Sequence, residues 1–182
     1  MPYEPPPHLA ELSLAQIAEQ VAARKLPPVE SWDPQQSTDS FMRIAADGMW
    51  FHQGDPIKRE AMVRAFAGLL TRDDKGHHWL VTPFEKSSIE VEDAAFIAVD
   101  VARRDDGLAF RLNTDELVIA GPDNRLRAAG NADTPALYLH VRRGCKARLN
   151  RSTYQQLADI ALEESNDWTV TSMGETFSLL PR

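Results

Sequence analysis

The chain has 182 residues, 43% of them hydrophobic and 26% charged, with a net charge of −7. That is ordinary globular composition, enough for one large domain or two small ones around a shared core. The acidic balance argues against long nucleic acid as a partner, and no apolar run reaches the ~18 residues of a membrane helix. The opening MPYEPPPHLAEL is proline-rich and acidic, with neither a basic head nor an apolar stretch, so no secretory signal is expected. A single cysteine, Cys145, excludes an internal disulfide and points with the missing signal to the reducing cytoplasm.

In chain order, residues 13–25 predict an amphipathic helix. Ser13 and Gln16 have capping-box spacing, Leu14, Ile17, Ala18 and Val21 form one stripe, and Pro27-Pro28 stop it. A polar connector follows, which Trp32 anchors to the body. Phe41–Ala46 and Met49–His52 predict a hairpin turned by Asp47-Gly48, with Trp50 and His52 on one face. After Gly54-Asp55-Pro56 a second helix is expected from Arg59 to Leu70. Residues 79–82 and 87–92 read as strands around a corner, Thr82-Pro83-Phe84-Glu85-Lys86. A meander of three strands then links to ALYLHVRR, a third helix and a final hairpin, WTVTSMGETFSLL. Strands that come in hairpins predict an α+β fold with antiparallel sheets, not a parallel doubly wound one.

Parts of the chain recur in order. RIAADGMW (43–50) is echoed by RLNTDELV (111–118), IKREAM (57–62) by LNRSTY (149–154), and WLVT (79–82) by WTVT (168–171). Fixed-order self-similarity predicts one supersecondary unit used twice. On this alignment Met62, Ala65, Phe66, Leu69 and Leu70 match Tyr154, Leu157, Ala158, Ala161 and Leu162, and Trp79 matches Trp168 as buried scaffold. The second copy then carries an insertion at roughly 121–145. The expected organisation is an N-terminal helix and connector over 1–36, a first unit over 37–107 and a second over 108–182.

The chemistry is less well marked. No two of the five histidines have the i, i+4 spacing of a zinc helix, and no nucleophile elbow or phosphate-loop motif occurs, so neither a metal nor a cofactor is expected. Cys145 has basic neighbours but no evident histidine partner, and reads as a packing residue. The corner at 82–86 either presents Glu85 and Lys86 at a cleft or is fixed by their own ion pair. Residues 142–151 hold five basic residues and no acid, which suits one small anion. Arg59 and Arg151 open the two matched helices, where guanidinium groups and helix N-termini can grip phosphate together. Strand alternation points Arg142 into a cleft and Arg143 away from it.

Most of the chain after about residue 30 resembles domain-of-unknown-function family 1285, a bacterial family. The likeness is carried by Gly48-x-Trp50, Gly54-x-Pro56-Ile57-x-Arg59, Leu80-Val81-Thr82-Pro83 with Glu85-Lys86, and Val91-Glu92-Asp93. It extends through NTDELVIAGPDNRLR and LYLHVRRGCKARLNRSTYQQL. The resemblance implies a duplicated α+β core whose second half superficially looks like a pleckstrin-homology fold. It also implies a pocket between the halves suited to a nucleotide-like molecule, and a role in signalling. The expected ligand residues are Trp50, His52, Arg59, Thr82, Glu85, Lys86, Arg142 and Arg148. The leading expectation is a cytoplasmic, non-enzymatic binder of a small anionic, nucleotide-like ligand. The alternatives are a hydrolase or transferase using Glu85, Lys86 and His52, or a protein-interaction module that docks a partner or forms a homodimer.

Overall fold

The computed structural model describes residues 9–181. The proline-rich run and the missing signal read from it lie outside the described residues, as does His8. The capping box is formed: Ser13 Oγ accepts from the Gln16 N–H at 3.2 Å and Gln16 Oε1 from the Ser13 N–H at 2.9 Å. It opens α1 (Leu14–Ala23), which buries Ile17, with Leu9 and Leu12 ahead of it, against Ala109 and Leu117.

Two six-stranded sheets follow. The first comprises β1 (Gln36–Ile44), β2 (Trp50–His52), β3 (Asp55–Pro56), β4 (Leu70–Arg72), β5 (His78–Val81) and β6 (Glu85–Val91), in the order β3-β2-β1-β6-β5-β4. The second comprises β7 (Phe96–Arg104), β8 (Gly107–Leu112), β9 (Leu117–Ile119), β10 (Leu126–Gly130), β11 (Pro135–Arg142) and β12 (Cys145–Leu149), in the order β10-β11-β12-β7-β8-β9. Each sheet is two antiparallel meanders of three strands, joined by a parallel pair between its first and last strand, β1 with β6 and β7 with β12. Helix α2 (Glu60–Ala67) lies between β3 and β4, and α3 (Arg151–Glu164) follows β12. A two-stranded sheet of β13 (Thr169–Ser172) and β14 (Glu175–Ser178) ends the fold. One continuous core joins the sheets: Ile44, Trp50 and Leu80 of the first pack with Phe96, Phe110 and Leu139 of the second and Leu157 of α3. Among the described residues no helix is long and apolar enough to cross a membrane.

The fold is therefore α+β and internally duplicated, but its repeat differs from the expected one. Equivalent strands are β1 with β7 through β6 with β12, and both the first and the last strands of the two units start 60 residues apart (Gln36 and Phe96, Glu85 and Cys145). Residues 121–145 are no insertion, because β10 and β11 are the counterparts of β4 and β5. Helices α2 and α3 hold different places in the two units, so their shared periodicity reflects only that each buries one face. Their burial also departs from the expected stripe. Met62 is exposed, Val63, Phe66 and Ala67 pack inward, and Leu70 is already in β4. The sheets divide between Val91 and Phe96, whereas the expected unit boundary fell after 107; β7 pairs with β8 and β12, not with the first sheet. The matched tryptophans also differ. Trp168 is 36% exposed outside any strand, while Trp79 is half-buried with its N–H donated to Asp73 at 3.0 Å. The fully buried indole is Trp50, which stacks on Phe66.

Candidate ligand cleft between the two sheets

A cleft of about 680 Å³ opens where the β1–β2 turn approaches the second sheet. Ala46 and Asp47 come from the β1–β2 turn of the first unit. Ile97, Asn113, Arg148 and the start of α3 come from the second half. Gly48 makes the approach possible. It has φ +90°, and a Cβ there would stand 2.7 Å from Ile97 Cγ1 and 2.9 Å from Asn113 Nδ2. Asn113 is held in turn, accepting the Ile97 N–H on its Oδ1 at 3.1 Å.

The cationic wall is the start of α3. Asn150 caps the helix, accepting from the Thr153 N–H at 2.8 Å. The N–H groups of Arg151 and Ser152 have no acceptor within the helix, so the positive end of the dipole opens on the cleft with donors to spare. Arg151 is exposed and makes no ion pair among the described residues. Arg148 is more committed: its Nη1 lies 2.9 Å from Asp93, which also accepts the Tyr138 hydroxyl at 2.7 Å. That hydrogen bond raises the arginine's pKa further, so Arg148 is charged but locally neutralised. Asp47 and Asp133 give the cleft acceptors, and the half-buried Tyr154 adds a ring. Phosphate at the α3 end and hydrogen-bond donors toward Asp47 would both find partners here.

Of the eight expected residues, only Arg148 lines this cleft. Trp50, 2% exposed, walls an adjacent chamber of about 210 Å³, and its indole nitrogen has no hydrogen-bond partner among the described residues. His52 and Arg59 are exposed. Thr82 fixes its corner instead of facing a ligand: its hydroxyl donates to Glu85 O at 3.0 Å and accepts the Phe84 and Glu85 N–H groups. Lys86 sits 4.4 Å over the Trp79 ring, so neither an open cleft nor a Glu85–Lys86 pair organises that corner. Glu85, Lys86 and His52 share no described cavity, which leaves the expected enzyme constellation unassembled.

Arg142 and Arg143 join the halves. Arg142 pairs with the buried Glu116, which also holds Arg24 at 2.8 Å, and donates to Ala67 O at 3.1 Å. Arg143 is no strand residue: with φ +51°, followed by Gly144 at +77°, it forms the two-residue turn between β11 and β12. Alternation therefore does not apply to it, and its guanidinium reaches Glu30 (2.6 Å), Gly68 O (2.7 Å) and Pro27 O (2.8 Å). Cys145 beside them is buried, and desolvation pushes its thiol up to about 11 despite both arginines. It stays a protonated packing residue. Asp47, Asn113 and Tyr154 were not anticipated at the site; the one sequence signal for them was the Asp-Gly turn.

The architecture defines a class of duplicated α+β proteins in which two sheets of the same strand order share one core. Residues 27–94 match the N-terminal domain, and residues 95–179 the C-terminal domain, of a protein of unknown function, DUF1285. The chain belongs to that family. It is similar to the crystal structure of a DUF1285 family protein from Silicibacter pomeroyi DSS-3, with 38% identity over 91% of this chain and 94% of that one and a TM-score of 0.75. A DUF1285 family protein from Shewanella baltica OS155 is 25% identical over 66% of this chain and 91% of that one, with a TM-score of 0.55. No curated protein matches the chain.

Proposed function

We propose that this protein binds a small anionic, nucleotide-like ligand in the cleft between its sheets without turning it over. The observation that carries the reading is the placing of the α3 N-terminus and Arg151, which has no ion pair among the described residues, opposite the acceptor Asp47 across the same 680 Å³ space. Such a volume is of ligand size. Because one wall is the β1–β2 turn of the first unit and the rest comes from the second, occupancy ties that turn to α3, which supports a signalling role in the cytoplasm. Thermal-shift and calorimetric titration with nucleoside mono- and diphosphates tests it. Binding should raise the melting temperature with no product formed. Arg151→Ala should cost about 1.5–3 kcal/mol of affinity, the size of a charge-assisted hydrogen bond, and Arg59→Ala nothing. Unchanged affinity in Arg151→Ala, or product formation, would overturn the assignment.

A further inference from the structure

Over β10 to β12 the second sheet has one apolar face and one basic face, whereas over β8 and β9 the outer face is covered by α1. In β10 to β12, Leu126, Leu137, Leu139, Ala147 and Leu149 turn into the core. The alternate positions fall in cross-strand rows, Arg127 with Tyr138 and Arg148, then His140 with Lys146. Over the latter row lies a cavity of about 460 Å³ walled by Arg72, Arg125, Arg127, Tyr138, His140 and Lys146, with Asp123 the only acid among its lining residues. It is distinct from the cleft at α3, with which it shares no lining residue.

These cations are poorly neutralised. Arg125 is paired, with Glu175 at 3.0 Å. Arg72 and Arg127 make no ion pair among the described residues, and Lys146 has the Tyr138 ring 4.1 Å from its Nζ and the charge of Asp93 acting on it from beyond that ring. His140 Nδ1 lies 3.1 Å from Asp123 O, so that nitrogen carries the proton and donates. Burial, and then the charge of Arg72, lowers the Lys146 pKa, and burial with Arg72 and Lys146 holds His78 down at about 4.

The fold places Arg72 there deliberately close. Its backbone N–H bonds Arg143 O at 2.9 Å, and a Cβ on Gly144 would stand 2.8 Å from Arg72 O, so only glycine lets β4 come this near the β11–β12 turn. The backbone of β4 thus meets the second sheet at the rim of this space, which Arg72 lines, and the Arg72 guanidinium lies against Gly76 of the β4–β5 turn. The space is larger than a single phosphate and has room for two linked phosphoryl groups. A nucleic-acid strand suits it poorly, because the pocket is short and the whole chain is acidic at −7.

We infer that this cavity is a second anion site, which takes a small ligand bearing two linked phosphoryl groups through Arg72, Arg127 and Lys146. The test is calorimetry on the full chain at physiological salt, with inorganic pyrophosphate as the probe and orthophosphate and a single-stranded oligonucleotide as comparators. Arg127 is an exposed strand residue, so R127A keeps the fold, which circular dichroism verifies. Pyrophosphate should bind at least about tenfold more tightly than orthophosphate, and R127A should weaken it about tenfold or more. Arg151→Ala should leave pyrophosphate affinity unchanged, which separates this site from the α3 cleft. Equal affinity for the two phosphates, tighter binding of the oligonucleotide, no effect of R127A, or a matching loss in Arg151→Ala would each overturn the inference.

Discussion

Arg143→Ala should be among the most destabilising single changes in the chain, although Arg143 lies in a turn within a basic run. Its side chain is 5% exposed and makes three hydrogen bonds, to Glu30 and to the carbonyls of Gly68 and Pro27. Glu30 is 68% exposed, so its share is below ~1 kcal/mol even though the Arg143 hydrogen bond lowers its pKa. The two carbonyls matter more. Each loses a charged donor worth about 1.5–3 kcal/mol, and water recovers part of this once the side chain is gone. The expected loss is about 3–4 kcal/mol. Backbone strain does not confuse the comparison, since alanine keeps the Cβ that arginine already carries at φ +51°. Urea unfolding followed by tryptophan fluorescence measures it, with Arg143→Lys as a second variant. Lysine keeps the charge but lacks the fork that reaches three acceptors, so it should restore less than half of the loss. A loss below about 1 kcal/mol in Arg143→Ala would mean that the turn does not clamp the connector and the end of α2, and the reasoning would fail.

The tryptophans should separate by burial: Trp50→Ala should lose about 3–5 kcal/mol in the same denaturation assay, and Trp168→Ala no more than about half as much. Gly48→Ala should cost more than about 1 kcal/mol, from its positive φ and the Ile97 contact, and should weaken nucleotide binding as the turn withdraws from the cleft. His78 gives a pH dependence of defined sign. Its folded pKa, held near 4 by burial, Arg72 and Lys146 and only partly opposed by Asp73, is below the ordinary 6.5, so below that value the unfolded chain takes the proton first. Stability is fully present above about pH 6.5 and declines toward pH 4; at about pH 5 the loss should be ~1–2 kcal/mol, and His78→Gln should remove that slope from a series of urea midpoints.

Local signals in this sequence are reliable and topological ones are not. The α1 cap depends on two side chains three residues apart, and the Asp47-Gly48 turn on one residue that tolerates φ +90°. Both can be recognised without knowing the rest of the fold. The parallel joints between β1 and β6 and between β7 and β12 have no such signature, because each pairs strands separated by an entire unit. Edge strands β3 and β4 have two and three residues, too few for alternation to mark them. Phase-matched amphipathic helices stand out more than these short strands, and so the helices α2 and α3 suggest a repeat that the strand order does not follow.

The arginines show why the site is harder to read than the fold. Arg142, Arg143, Arg148 and Arg151 fall within ten residues and look alike as a basic run, yet each has a different fate. Arg142 is spent on buried Glu116 and Arg143 on two backbone carbonyls, both supplied by segments far away in sequence. Arg148 is offset by Asp93, and Arg151 alone is left at a helix N-terminus beside open space. Binding capacity belongs to the cation whose partners the fold has not already provided. Strand alternation can say which way a side chain points, but at Arg143 a turn suspends even that, and no periodicity reports what waits at the other end. Arg72 and Arg127 make the same point in reverse: 55 residues apart in sequence, they line one cavity because β10 pairs with β11 and Gly144 lets β4 lie against the β11–β12 turn.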